Sequence, residues 1–523
     1  MKTHREFFCV FVAFGLSVIY NCNGVSSNSI EICRFSVMKK IIDLDIDDYF
    51  ALPVKVLQFG EGNFLRAFAD YMIQKMNENG IFNASVAMVK PTASAARHDF
   101  HAQNCRYTVL ERGLENGRKI DKATVITSVS EYLSAYDDAH QLLSLAASNE
   151  LQVVISNTTE AGIVYVKGES FDDFPKVSYP AKLCRLLYER YKILGKGSGL
   201  LILPVELIEN NGTALKNCIL AYAADWNLGA GFEDYIKYDC KFCSTLVDRI
   251  VTGFPVKDAE QIFSKLGFTD DLAVACEPYI SWIIEGREEW KRIFPADKIF
   301  SSVKWVDDCA LYRERKVKIL NGAHTLSVLA GHLCGFSIVR DMVSDPDFNA
   351  LLNRAIDNEI IPTIDMDKAE LAAFKNSVLE RFMNPFIDHK LLDISLNSVS
   401  KFTARCLPSV IQYSQKFGSA PPLLSFSFAA LIKFYSGSFD EKGDFVSNAH
   451  GKDYVIRDSA DNLKAFEAAF KTNDPVLHIM KNISLWGSDL TDIKGFYEKV
   501  SDCFADICTS GVRLALRKAL GNE

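Results

Sequence analysis

The sequence predicts an α/β protein: a Rossmann-like N-terminal domain built on a parallel sheet, followed by a mostly α-helical C-terminal domain. Three observations carry this. Short apolar runs alternate with helix-periodic stretches through the N-terminal half of the chain. A glycine-rich turn, Gly60-Glu61-Gly62, joins the first such run to the first helical stretch. Beyond about residue 285, strand-type runs become scarce and helical periodicity takes over.

Taken in order, residues 55–59 (KVLQF) form a β-type run. Residues 64–79 repeat apolar side chains at helical spacing (Phe64, Phe68, Tyr71, Met72, Met76), and Gly80 is the expected stop. Residues 84–89, 125–129, 151–156 and 199–207 read as further buried strands, with helices such as 181–194 between them. Strands alternating with helices imply a parallel sheet covered on both faces. Helical patterns then occupy 317–333, 348–360, 368–382, 423–435, 463–471 and 491–519. The acidic stretch 285–307 is the expected seam, giving a dinucleotide-binding domain over 38–288 and a helical substrate and catalytic domain over 289–523.

At 523 residues the chain is long enough for two to four domains, at roughly 150 residues each. With 48% apolar and 24% charged residues it is neither disordered nor of low complexity. A net charge of −8 argues against a general nucleic-acid binder. Fourteen irregularly spaced cysteines suit buried thiols in a reducing compartment. Against this, the first residues have the layout of a secretory signal: Lys2, His4 and Arg5, an apolar run over 7–20, then Cys22, Asn23 and Gly24. Met38, however, opens MKKIIDLDIDDYF, an ordinary cytosolic start. We expect residues 1–37 to be an over-called or dispensable extension and the protein to be cytoplasmic. Export is the alternative, with residues 1–24 as the signal. No later run is apolar for the ~18 residues a membrane span needs.

The glycine turn reads Gly60-x-Gly62-x-x-Leu65, with leucine where the usual fingerprint has a third glycine. Two glycines after a strand permit a tight turn, and the helix that follows directs backbone N–H groups at a pyrophosphate. Phe59, Gly60, Gly62, Asn63, Phe64 and Arg66 are therefore candidate cofactor contacts, Arg66 as a possible phosphate ligand; a plain strand–turn–helix fits the same pattern. The acidic residue that would hold the NAD ribose is missing. Lys90 stands there instead, which leaves NADP open. Ser156-Asn-Thr-Thr-Glu160-Ala-Gly162 leaves another strand's C-terminal end, where Glu160 can relay a proton or merely sit in a turn.

Just past the seam lies Lys316-x4-Asn321-x2-His324. At ~100° per residue on an α-helix, Asn321 falls ~140° and His324 ~80° from Lys316. A lysine with an amide and an imidazole nearby suits carbonyl chemistry, the lysine as acid or base and the amide on the developing alkoxide. An amphipathic helix with a solvated lysine is the plainer account. Asn211, after a strand, can turn an amide toward substrate or form a β-turn. Arg381 and His389 flank Asn384-Pro385, either as cations for an anionic substrate or as an ordinary helix end. Cys240-x-x-Cys243 lacks a second ligand pair, so no metal is expected.

Together these motifs resemble the polyol-specific long-chain dehydrogenases, which include mannitol dehydrogenases, fructuronate reductases and tagaturonate reductases. The lysine signature is matched by Lys316, Asn321 and His324. The phrases QFGEGNFLRAF, SNTTEAGI, SYPAKL, FCSTLVDRIVTG, ERKVKILNGAH and RFMNPFI are most similar to the tagaturonate-reducing branch, from about residue 53 onward. The resemblance implies metal-independent hydride transfer between NADH and a ketouronate, D-tagaturonate to D-altronate, in hexuronate catabolism. Fructuronate or a neutral polyol is the nearest alternative substrate, and a secreted, non-catalytic binding protein a remote one. It implies Lys316 as acid/base, Asn321 and an asparagine near Asn211 on the substrate oxygen, His324 orienting substrate and Glu160 relaying protons. Arg381 and His389 would hold a uronate carboxylate, and Asp248 is a further cleft candidate.

Overall fold

The computed structural model describes residues 10–13, 16–19, 38–46, 48–49, 51–94, 99–159 and 161–521. The reading of residues 1–37 as a signal or extension lies outside them, apart from two paired four-residue strands, Val10–Ala13 and Leu16–Ile19. The role expected of Glu160 also lies outside them.

Six strands form the central sheet: β1 (Val54–Phe59), β2 (Ser85–Lys90), β3 (Val129–Ser134), β4 (Val153–Ser156), β5 (Leu201–Pro204) and β6 (Lys241–Phe242). All pair in parallel, in the order β6-β5-β4-β1-β2-β3. This is the doubly wound order, with the direction of progression reversing between β1 and β4. The strands read as continuous apolar runs because alternate residues enter two different cores. Val56, Val86, Met88, Val153, Ile155, Leu201 and Leu203 face one, and Leu57, Phe59, Ala87, Val89, Val154 and Ile202 the other.

The strand expected at 125–129 is divided. Ile126 ends an antiparallel hairpin, Tyr107–Glu115 with Arg118–Ile126, and Val129 begins β3. The apolar run spans both, so period alone does not find the break. The expected seam is also reassigned. Val303–Val306 pairs in parallel with Ser281–Glu285, which in turn pairs with Thr245–Asp248. Phe294, Ala296, Val303 and Trp305 are buried in the first unit's core. The helical unit thus starts at Ala310, and its helices enclose a separate core running from Ile319 to Leu520. The eleven cysteines among the described residues are free thiols, most of them buried.

Candidate active site

The β1 turn is shaped for close backbone approach. Gly60 has φ +125°, and a Cβ there would meet the Asn157 carbonyl oxygen at 3.1 Å and Leu65 Cδ1 at 3.2 Å. Leu65 is buried in the place where a third glycine would otherwise bring helix and strand together. A Cβ at Gly62 would meet nothing within 4 Å, so the exposed turn opens outward at the head of the continuous helical run 63–78. This is the form of a phosphate cradle. Beneath it, Gln58 Nε2 donates to the Gly60 carbonyl and to Asp70 Oδ2, each at 3.2 Å, and Tyr107 Oη donates to the same Asp70 oxygen at 2.6 Å. Burial raises the Asp70 carboxyl to about 6, against the pull of those hydrogen bonds.

Not every residue expected at the cofactor faces it. Phe59 lies in the core, its ring 5.1 Å from that of Tyr179, and offers only its backbone. Phe64 stacks on Phe68 at 4.9 Å. Arg66 is 1% exposed: Nη2 donates to Asn63 Oδ1 at 2.7 Å, Nη1 to the Leu272 carbonyl, and the guanidinium lies between the Phe100 and Tyr107 rings. The expected phosphate contact from Arg66 is therefore corrected to an internal tie beneath the turn. Lys90 is buried at the end of β2 and donates Nζ to the Thr92 carbonyl at 2.9 Å and to that of Ser94. Lys90, Tyr132, Asp137 and Asp138 line a cavity of about 460 Å³ at the C-terminal edge of β2 and β3.

The lysine signature departs from α-helical geometry. Residues Lys316–Asn321 form a π-helical turn in which the Gly322 amide reaches the Val317 carbonyl five residues back. In that winding a residue five positions on returns close to the starting face, so Asn321 is not ~140° from Lys316. His324 follows three residues later on Gly322–Leu333, the spacing of neighbours on one helix face. Lys316 Nζ donates to the Val247 carbonyl at 2.7 Å and lies 3.8 Å from Asp248 Oδ1. The Asn321 amide has no side-chain hydrogen bond among the described residues, and His324 Nδ1 is a buried nitrogen without a partner. Burial, then His389, Arg381, Arg405 and Lys401, hold the His324 imidazole well below its ordinary value, so it is neutral. Its ring lies against that of Phe382 at 4.1 Å, tilted by 32°, and meets the exposed His389 edge-on at 5.4 Å.

Two of the residues expected on substrate are fully engaged by protein. Arg381, 7% exposed in the last turn of Lys368–Phe382, reaches across the seam. It is bidentate to Asp248 (2.9 and 3.0 Å) and bidentate to Glu277 (2.9 and 2.8 Å). It is therefore a clamp between the two units, and the expectation that it receives a carboxylate is corrected. Burial alone would raise Asp248, but Arg381 and Lys316 outweigh it and its carboxyl lies below the usual range. Asn211 is 0% exposed: Nδ2 donates to the carbonyls of Pro204, Glu206 and Thr245, and Oδ1 accepts from the amides of Gly212 and Thr245. Its amide splices β5 to the next helix and strand and has nothing left for substrate.

Three contributors were not picked out from the sequence. Glu206, at the end of β5, is buried and accepts from Ser156 Oγ and from the amide and hydroxyl of Thr158, holding the loop that leads to Glu160. A carboxylate at the C-terminal edge of a parallel strand was a usable signal. Glu277 and Arg405 carried none, because their partners lie about a hundred residues away.

Comparison with known proteins follows the same two units. The mannitol dehydrogenase Rossmann domain matches residues 54–293, and the mannitol dehydrogenase C-terminal domain matches 308–508. Altronate oxidoreductase from Halalkalibacterium halodurans is 39% identical over 482 residues, 90% of this chain and 94% of that protein. The altronate oxidoreductase of Klebsiella pneumoniae (strain 342) is 39% identical over 476 residues, 89% of this chain and 96% of the relative. Among solved structures, D-sorbitol dehydrogenase in substrate-free form superposes with a TM-score of 0.73 at 21% identity, covering 90% of this chain and 96% of that one. Pseudomonas fluorescens mannitol 2-dehydrogenase, in ternary complex with NAD and D-mannitol, gives 0.63 at 23% identity, covering 91% and 96%. These two share the fold.

Proposed function

This chain belongs to the mannitol dehydrogenase family, and on that premise we propose that it interconverts D-tagaturonate and D-altronate by hydride transfer with NADH. The observation that carries the reading is the 39% identity to altronate oxidoreductases along nearly their whole length. The turn that brings Asn321 round to the Lys316 face supports it.

The Gly60–Gly62 turn and the helix head at Asn63 would hold the cofactor's pyrophosphate, and the open space at Gly62 fits that group. When bound, the cofactor supplies or accepts the hydride. In reduction, Lys316 Nζ gives a proton to the substrate oxygen while the Asn321 amide donates a hydrogen bond to it as charge develops. The Val247 carbonyl accepts one proton of the ammonium and the Asp248 carboxylate, 3.8 Å away, holds its charge in place, leaving the other donors for the substrate. Neutral His324 offers Nδ1 to a substrate hydroxyl.

NAD is favoured over NADP by two features of the cavity beyond β2. Lys90 is occupied by its own loop, and Asp137 and Asp138 line the same cavity, where a 2′-phosphate would meet like charge. The test is NADH and NADPH oxidation with D-tagaturonate and D-fructuronate. Turnover of tagaturonate with NADH at the highest kcat/KM is expected. A clear preference for fructuronate, or for NADPH, overturns the corresponding part.

A further inference from the structure

Glu277 is a buried carboxylate with no part in the proton transfer described above. It accepts from Arg381 Nε at 2.9 Å and Nη2 at 2.8 Å, and from the Ile250 amide at 2.6 Å. The same guanidinium grips Asp248, which lies 3.8 Å from Lys316 Nζ. The Tyr279 ring, 4.3 Å away, covers one face of the guanidinium. Four groups of alternating sign thus run from the interior to the cleft: Glu277, Arg381, Asp248, Lys316. Their side-chain exposure rises along the row, 2%, 4%, 12% and 18%, so water reaches it chiefly at the lysine end. The main chain of Glu277 is fixed as well. Arg249 Nε donates to its carbonyl at 3.0 Å, Nη1 to the Ala67 carbonyl at 2.7 Å and Nη2 to Glu111 at 2.9 Å. Arg249 therefore pairs with Glu111, and Arg381 is the cation that the Glu277 carboxylate pairs with among the described residues.

We propose that Glu277 is a positioning residue for the proton transfer: by taking up half of the Arg381 charge, it leaves Asp248 with negative charge directed at the Lys316 ammonium. Were Arg381 shared with no second carboxylate, it would cancel Asp248, and Lys316 would face a neutral pair. One cation between two carboxylates leaves a net negative charge, which balances the lysine. In a poorly hydrated interior such a charge acts over several ångströms. Burial is the largest influence on both carboxyls. It prevails at Glu277, which lies above its ordinary value, and is outweighed by Arg381 and Lys316 at Asp248, which lies below. Asp248 is thus the acid that stays charged toward the cleft. The other groups around Lys316 are Tyr279 beside Asp248, and Tyr312 and Arg315 on its own helix, with Arg315 paired to Glu370. Lys401 and Arg405, on the neighbouring helix, act on His324. None of these pairs with Glu277. The assignment rests on the reading of Lys316 as acid/base given above.

The test follows the Lys316 amine in the full chain. Its reductive methylation by formaldehyde and cyanoborohydride, read by peptide mass across pH, reports the fraction of free amine. Glu277→Gln should move the midpoint down by about 0.5–1 pH unit, the size expected for removing a charge several ångströms away in a partly hydrated site. The pH profile of kcat/KM for D-altronate oxidation at saturating NAD should move with it, because the free amine is the form that takes the proton. Glu277→Asp keeps the charge and should recover most of the wild-type midpoint in both measurements. The paired variant Arg381→Met/Glu277→Met removes opposite charges together and leaves Asp248 facing Lys316. Its labelling midpoint should lie within about 0.3 pH unit of wild type. That variant also decides the matter if Glu277→Gln does not fold. An unmoved labelling midpoint in Glu277→Gln, one equally low in Glu277→Asp, or one clearly raised in the paired variant overturns the proposal. A labelling midpoint that falls in Glu277→Gln while the kinetic profile stays put supports the charge balance and overturns instead the reading of Lys316 as acid/base.

Discussion

Arg381 grips Asp248 with two parallel hydrogen bonds, Nη1 to Oδ2 at 2.9 Å and Nη2 to Oδ1 at 3.0 Å, and Asp248 is the carboxylate that faces Lys316. One guanidinium thus links the helical unit to the strand Thr245–Asp248 and aligns the acid beside the lysine. Arg381→Met should destabilise the fold by about 3–5 kcal/mol, because it leaves Asp248 and Glu277 buried together without a counter-charge. Arg381→Lys should recover only a fraction, since an ammonium cannot form two bidentate pairs. Urea denaturation of the two variants against wild type checks the order; a methionine variant as stable as wild type would sink the clamp.

Lys316 makes contacts to the Val247 carbonyl and Asp248 that its removal leaves to solvent at a half-open cleft. Lys316→Ala should therefore fold normally and lose about 10²- to 10⁴-fold in kcat, the range for removing a positioned acid/base. Added primary amines should restore part of the rate. Stopped-flow NADH binding provides the control, because cofactor affinity should hold.

The Rossmann half was legible because its strands are buried on both faces and its glycine turn is local: β1, β2, β4 and β5 fall within two or three residues of the runs read from sequence. The helical half was legible from period 3.6, down to Lys368–Phe382, whose bounds agree with the reading. Three things were not. The antiparallel layer around Tyr107–Ile126 alternates weakly, and apart from its last two residues it is not among the runs read as strands. The π turn at Lys316 cannot be told from an α-helix by composition, so the angle between Lys316 and Asn321 came out wrong. The partners of Arg381 and Asn211 depend on chain crossings: Arg381 meets groups 133 and 104 positions away, and no local pattern reports that a side chain is already engaged.

Asp70 gives a pH signature independent of catalysis. Its folded-state carboxyl is raised from 3.8 to about 6 by burial under the glycine turn. The folded protein then holds this proton more tightly than the unfolded chain. The stability it contributes is fully present below about pH 4 and is lost as pH rises through 6. The change amounts to about 2–3 kcal/mol for two units. Asp70→Asn keeps the shape and removes the titration, so stability relative to wild type should improve on going from pH 4.5 to 7.5. Denaturant midpoints at the two pH values test this; a parallel pH dependence in both proteins would show that Asp70 is not the titrating group.

Two asparagines that looked alike in sequence should part company experimentally. Asn211 makes five hydrogen bonds inside the fold, while Asn321 has no side-chain hydrogen bond among the described residues. Asn211→Ala strands the Gly212 and Thr245 amides and takes a donor from three carbonyls, of which Pro204 keeps the Thr245 hydroxyl and Glu206 keeps the Ile208 amide. Each unmet group costs about 1–3 kcal/mol, with some relieved by water, so a loss of several kcal/mol is expected, and a lower yield of folded enzyme with it. Asn321→Ala removes no side-chain hydrogen bond among the described residues and should leave the thermal midpoint near that of wild type. Its kcat should nevertheless fall about 10²- to 10³-fold, as when a donor to a developing oxyanion is deleted. Measuring the thermal midpoint and kcat on the same preparations separates the two. If Asn211→Ala were stable but slow, its amide would belong to the substrate after all; if Asn321→Ala were unstable but fast per folded molecule, the π turn would be a packing device and the oxygen would need another donor.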